Sequence, residues 1–118
     1  MDDARGKRIV VCEVGTRDGF QIEPVFVPTE VKIELLDALG RTGLPMIEVT
    51  SFSSPKAIPA LQDAEQVMRG ITRVAGVRYT ALVPNRKGAE RALAANVDEI
   101  NLVMSVSETH NLANLRMT

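Results

Sequence analysis

Short apolar runs alternate with segments of helical period along most of the chain. The first run, Ile9 to Val14, is valine-rich, as a strand would be. After a loop, Thr29 stands where an N-cap belongs, its hydroxyl oxygen facing an otherwise unpaired N–H of the first turn. Val31, Leu35, Leu36 and Leu39 then recur at the spacing of one helical face. Gly43 is the expected stop, with Pro45 just beyond. The second run is Met46 to Thr50, followed by a helix from about Asp63 on which Leu61, Ala64, Met68 and Ile71 share a face. Gly76 closes that unit, and the third run, Val77 to Val83, ends at Pro84. Arg86 to Ala95 reads as a short helix with Ala89, Ala92 and Leu93 inward, and Glu99 to Met104 as the fourth run. Residues 105–118 read as a loop and the start of a fourth helix.

The order β-α-β-α-β-α-β predicts parallel strands joined by right-handed crossovers. The runs are apolar on both faces, as expected where helices cover one side of a sheet and a packed interior the other. Two α/β architectures fit: an open doubly wound sheet, or the N-terminal half of a (β/α)8 barrel, which takes about 250 residues in full. Period and composition do not choose between them. The chain stops at Thr118 with no helix C-cap, so the expectation is a single partial domain over residues 1–118. A half-barrel predicts strand order 1-2-3-4, whereas an open sheet of flavodoxin type predicts 2-1-3-4.

Composition narrows the function. With 14 basic and 15 acidic side chains, the chain offers no basic surface for nucleic acid and no polybasic membrane anchor. No apolar run approaches the roughly 20 residues that cross a bilayer, and the polar start, Met1 to Arg8, lacks the apolar core of a secretory signal. Cys12 is the one cysteine and has no internal partner, so a reducing cytoplasm is the expected location.

The residues with chemical potential cluster just after the strands, where both architectures place their ligand sites. Arg17 and Asp18, in the segment Glu13-Val14-Gly15-Thr16-Arg17-Asp18-Gly19-Phe20-Gln21, set a permanent cation beside a hard oxygen ligand. An enolate-forming reaction needs that pairing, although Asp18-Gly19 also reads as a plain turn. Glu48 lies inside the second run, on the side opposite Ile47 and Val49 and together with Met46 and Thr50. In a barrel it is buried and needs a partner, and Arg17, one strand over, is the candidate; were the second strand an edge, Glu48 would simply be solvated. Asn85, Lys87 and Gly88 suit either a phosphate or amide of a cofactor, or a helix N-cap. His110 has no second histidine with which to share a metal, and Cys12 reads as buried and inert.

Three blocks resemble the 3-hydroxy-3-methylglutaryl-CoA lyase family: Glu13 to Gln21, Ile47-Glu48-Val49-Thr50-Ser51-Phe52-Ser53-Ser54-Pro55-Lys56, and Pro84-Asn85-Arg86-Lys87-Gly88. Ser107-Glu108-Thr109-His110-Asn111 is similar to its bacterial branch. The likeness runs from Lys7 to Thr118. Arg-Asp-Gly followed by Gln is shared with other metal-dependent barrel lyases and Claisen synthases; the Glu-Val-Gly before it and the Thr-Ser-Phe-x-Ser-Pro-Lys block point to the lyase.

The resemblance implies an eight-stranded barrel that cleaves 3-hydroxy-3-methylglutaryl-CoA to acetoacetate and acetyl-CoA by retro-aldol, Claisen-type chemistry, a step of leucine degradation. It implies a divalent metal, Mg²⁺ or Mn²⁺, with Asp18 as a ligand. Arg17 would stabilise the enolate oxygen and Glu48 would orient Arg17; Gln21 and Ser51 would line the site and Asn114 approach the acyl-CoA. The partners implied are the acyl-CoA substrate and, at full length, further copies of the same chain. Two departures stand out. Ile22 occupies a place where the family commonly has Asn. The family's His-x-His and Asn metal ligands and its mobile-loop cysteine have no match here, and one carboxylate cannot hold an octahedral hard cation against water. The chain alone is therefore expected to be inactive. The rival readings are a Claisen-condensing synthase of the isopropylmalate type and a non-catalytic α/β binding module.

Overall fold

The computed structural model describes residues 9–102. Strands β1 (Cys12–Glu13), β2 (Met46–Ser51), β3 (Arg78–Val83) and β4 (Glu99–Leu102) form one sheet, every neighbouring pair parallel, in the order β1-β2-β3-β4. This is the sequential order expected of a barrel half, and it excludes the flavodoxin order. Helices α1 (Thr29–Gly40), α2 (Ala64–Gly70) and α3 (Arg86–Ala94) make the crossovers.

One face of the sheet packs on the helices. Ile47, Val49, Tyr79, Ala81 and Val83 are buried there with Leu36 of α1, Ala64, Val67 and Met68 of α2, and Ala92 of α3. The other face carries Glu48, Thr80 and Asn101. Between Glu48 and Thr50 the register slips by one residue, so that Thr50 comes opposite Ala81 and Ser51 opposite Leu82. Strict alternation would have kept Thr50 on the side of Glu48; the bulge moves Ser51 there instead.

The helices depart from their sequence pattern in instructive places. On α1 the buried residues are Lys32, Leu36 and Gly40, while Val31 and Leu35 are exposed. The helix is rotated from its apolar stripe because Lys32 points inward to a buried acid, Asp63. Thr29 is the first helical residue rather than the cap, a position held by Pro28, and its hydroxyl donates to Asp63 Oδ2 at 2.6 Å. Leu93 of α3 is likewise exposed, whereas Ala92 is fully buried. Leu61, Ala64, Met68 and Ile71 are all buried as the spacing predicts, with Leu61 in a 3-10 turn ahead of α2. Helix α1 stops at Gly40, three residues before the expected Gly43. Gly43 and Gly76 instead make the turns that lead into β2 and β3, both with positive φ, +89° and +87°. β1 is shorter than its apolar run: only Cys12 and Glu13 pair with β2, and Ile9, Val10 and Val11 are exposed.

Candidate active site

At the C-terminal end of β1 the chain turns through one wide helical turn, Gly15–Gly19. The amides of Arg17 and Asp18 both donate to the Val14 carbonyl, at 3.1 and 2.7 Å. Glu13 steadies the entry, its Oε1 accepting from the Gly15 amide at 2.9 Å. Thr16 turns inward, buried, and its hydroxyl donates to the Glu48 carbonyl at 3.2 Å. The turn is thus moored to β2, and the next residue, Arg17, faces the Glu48 side chain.

Glu48 is 5% exposed. Its Oε1 accepts from Arg17 Nε in an ion pair. Its Oε2 accepts from the side-chain amide of Asn101 at 2.6 Å, and the same amide group donates to Thr80 Oγ1 at 3.3 Å. Both carboxylate oxygens are therefore occupied, as burial of an ionised group requires. Because Glu48 engages Arg17 through Nε, the far end of the guanidinium remains directed outward. There Nη1 donates to Asp18 Oδ1 at 3.2 Å. The Asp18 side chain is 67% exposed and that of Arg17 20%, so the site grades from a buried carboxylate through a guanidinium to an open carboxylate at the rim.

The arrangement brings Arg17, Asp18 and Glu48 together, as their types and positions suggested. Thr16, Thr80 and Asn101 complete it, and sequence reasoning did not single them out. Asn101 left one trace, an amide in the middle of an apolar strand, which asks for a buried partner. Ser51 is fully buried at the C-terminal end of β2, and its hydroxyl shares a 2.7 Å hydrogen bond with that of Ser53. Gln21 faces elsewhere, toward a hollow of about 370 Å³ lined also by Glu23, Phe26, Pro59 and Ala60. Its buried Oε1 has no hydrogen-bond partner among the described residues. Asn85 is an N-cap, accepting from the Gly88 amide at 2.8 Å. Asn114 and His110 lie outside the described residues. Cys12 is partly buried, and burial first, then the negative charge of Glu48, raises its thiol pKa above the ordinary value of 9.0.

Among the described residues no three His, Cys, Asp or Glu side chains form a metal-holding group, and no helix is long and apolar enough to cross a membrane. Asp18 nevertheless suits one oxygen ligand of a hard cation: its carboxylate is open to solvent, and only one of its oxygens is engaged by Arg17.

Comparison with known proteins agrees with the geometry. The HMGL-like family model matches residues 8–118. The chain is 53% identical over 109 residues to hydroxymethylglutaryl-CoA lyase YngG of Bacillus subtilis, covering 92% of this chain and 36% of that protein. It is 47% identical over 109 residues to the mitochondrial hydroxymethylglutaryl-CoA lyase of Gallus gallus, covering 92% and 37%. Among solved structures it is similar to an HMG-CoA lyase from Acinetobacter baumannii in complex with coenzyme A and 3-methylmalate. That likeness has a TM-score of 0.91 and 58% identity, over 92% of this chain and 36% of that one. The HMG-CoA lyase of Brucella melitensis gives a TM-score of 0.89 at 49% identity, over 93% and 39%. The chain thus spans a little over a third of the length of these relatives.

Proposed function

The chain belongs to the HMGL-like family, and from that premise we propose that residues 1–118 are a partial domain, the first βα units of a hydroxymethylglutaryl-CoA lyase barrel, inactive without the rest. The observation that carries the reading is the Arg17 guanidinium, held from behind by buried Glu48 and presented beside the open carboxylate of Asp18.

The proposed reaction cleaves 3-hydroxy-3-methylglutaryl-CoA. The 3-hydroxyl loses its proton, its oxygen becomes the new ketone of acetoacetate, and the carbon–carbon bonding pair passes into the thioester. The thioester oxygen becomes an enolate, and the enolate carbon takes up a proton to give acetyl-CoA. Negative charge grows on that oxygen as the bond breaks. A guanidinium already aimed at it favours the transition state over the ground state, and no reorganisation is needed at the moment of reaction.

Glu48 does not touch substrate in this scheme. It keeps Arg17 in one orientation, and Asn101 keeps Glu48 in one orientation. A divalent metal, Mg²⁺ or Mn²⁺, would supply Lewis-acid polarisation of substrate oxygens, with Asp18 as one ligand. Its remaining ligands would be waters, substrate and residues outside those described. Ser51 and Asn114 are proposed to line the acyl-CoA path; Gln21, expected there from the resemblance, faces the separate hollow instead. The assembled protein is proposed to be a cytoplasmic homo-oligomer.

The test is a graft. Residues 8–118 replace the matching segment of the B. subtilis relative, and the purified protein is assayed for acetoacetate and acetyl-CoA with and without a chelator. Metal-dependent cleavage is expected. A graft that folds with the far-ultraviolet signature of the parent and cleaves nothing refutes the reading.

A further inference from the structure

Away from the Arg17–Glu48 centre, the described residues hold one other buried pair of opposite charges, Lys32 and Asp63. Lys32 points inward from α1 and Asp63 sits directly ahead of α2. The ammonium donates to Asp63 Oδ1 at 2.6 Å and to the Ala60 carbonyl at 2.7 Å. Thr29 fills the other carboxylate oxygen. Two aromatic rings also lie over the ammonium, Phe26 at 4.5 Å and Phe20 at 6.0 Å from their centres. A cation attracts the negative face of a ring, and this one is fixed in place by its acid and carbonyl partners.

Those rings belong to the connection that carries the site. Phe20 directly follows the turn bearing Arg17 and Asp18, and Phe26 stands just before α1. The connection from Val14 to Pro28 is long for a βα loop. Thr16 and Arg17 moor its first part to Glu48. Its second part is seated on Lys32.

We propose that the Lys32–Asp63 pair is a positioning device for Arg17 and Asp18, its buried cation holding Phe20 and Phe26 so that the β1–α1 loop keeps one pose against the end of β2. This deepens the lyase reading and, for its effect on turnover, rests on it. The loop effect does not. A pair that merely fills space could be replaced by apolar residues without loss, whereas a positioning pair leaves the loop loose when replaced, even where stability recovers.

Phe26→Leu is the discriminating variant. Phe26 is 40% exposed, so its replacement leaves the ion pair and the core intact. In the 118-residue chain, hydrogen exchange read by mass spectrometry is expected to quicken about 3- to 30-fold at the amides of residues 16–21. The amides of β2 and β3 serve as the unchanged reference. Lys32→Met combined with Asp63→Leu is expected to show the same local loosening. In the active graft, Phe26→Leu is expected to lower kcat by about 3- to 30-fold while KM moves by no more than about twofold. Wild-type exchange rates at residues 16–21 in Phe26→Leu overturn the proposal, whatever the graft does. A loosened loop with unaltered kcat in an active graft overturns it as well. A graft inactive with native residues counts against the lyase reading alone, and the exchange result still decides whether the pair positions the loop.

Discussion

Arg17 is the residue whose surroundings say most about its task. Its Nε is spent on a carboxylate that is itself pinned by Asn101, so the guanidinium cannot swing without breaking a buried ion pair. In the proposed reaction, a donor held that firmly would act through the charge that develops at bond breaking. In the graft, Arg17→Gln is therefore expected to lower kcat by about 10²–10³-fold, with a much smaller change in KM and little change in metal affinity. Asp18→Asn is expected instead to weaken the metal, as metal titration beside steady-state kinetics will show. Near-normal kcat in Arg17→Gln, or loss of activity only through shed metal, contradicts the role given to Arg17. Cys12 illustrates the opposite case, a reactive type made quiet by position. Burial and the neighbouring negative charge of Glu48 raise its pKa, so the folded chain disfavours the thiolate. The contribution of this thiol to stability is then whole below the ordinary value of 9.0 and falls away as pH rises through the higher folded value. Iodoacetamide labelling of the native protein at pH 8 should run slower than labelling of the urea-unfolded chain. Equal rates would show that Cys12 is not shielded.

At the scale of elements, what could be read in advance depended on whether a local pattern or a distant partner decides the outcome. The four parallel strands follow from alternation and crossover handedness, which are local rules. Their sequential order does not, since those rules fit an open sheet equally well, and it rested on the family resemblance until the sheet itself showed it. The turns at Gly43 and Gly76, ahead of β2 and β3, follow from a conformation that glycine adopts readily, although α1 itself stops earlier, at Gly40. The inward face of α1 was misjudged because Lys32 is buried by an acid 31 residues away, and no helical periodicity encodes that. The Thr29 hydroxyl was drawn from capping to the same acid. In the site, Glu48 and Arg17 were legible because a carboxylate inside an apolar strand demands a cation. Asn101 and Thr80 were not, since their value depends on the register that sets β3 and β4 beside Glu48. The end of β3 offers a direct test of how closely these elements are fitted. A Cβ on Gly88 would stand 2.5 Å from the Phe52 carbonyl oxygen, a backbone atom with little room to yield. Gly88→Ala should therefore destabilise the graft by about 1–3 kcal/mol, the usual cost of overpacking, despite the better helix propensity of alanine. Asn85→Ala, which only removes the cap, should cost about 1 kcal/mol. Urea denaturation of both variants gives the ranking, and a neutral or stabilising Gly88→Ala would mean that α3 shifts freely against β2.

The molecule as a whole is a parallel sheet with two ends. Among the described residues the outer edge of β1 and the outer edge of β4 have no strand beside them, and an edge strand presents a row of unmade N–H and C=O bonds. Apolar side chains gather at both ends. Ile9, Val10, Val11 and Val14 flank or border β1, with Val31 and Leu35 exposed on the helix that follows it. Leu102 at β4 and Leu93 on α3 are exposed at the other end. Lone exposed apolar residues are ordinary, but a run of them along an open edge is what strand pairing recruits. Charge does little to oppose association, because the chain carries a formal net charge of only −1 at pH 7. The 118-residue chain by itself is therefore expected to self-associate, and multi-angle light scattering should find species well above its 12.8 kDa. Association should weaken when Val10 and Leu102 are both changed to lysine, since a charge at each edge opposes pairing without touching the buried core. The same change in the graft should cost activity, because there both edges must join neighbouring strands. A monodisperse monomer with one cooperative melting transition would show that the edges are closed in some other way, and would remove the main physical reason for expecting this chain to need the rest of a barrel.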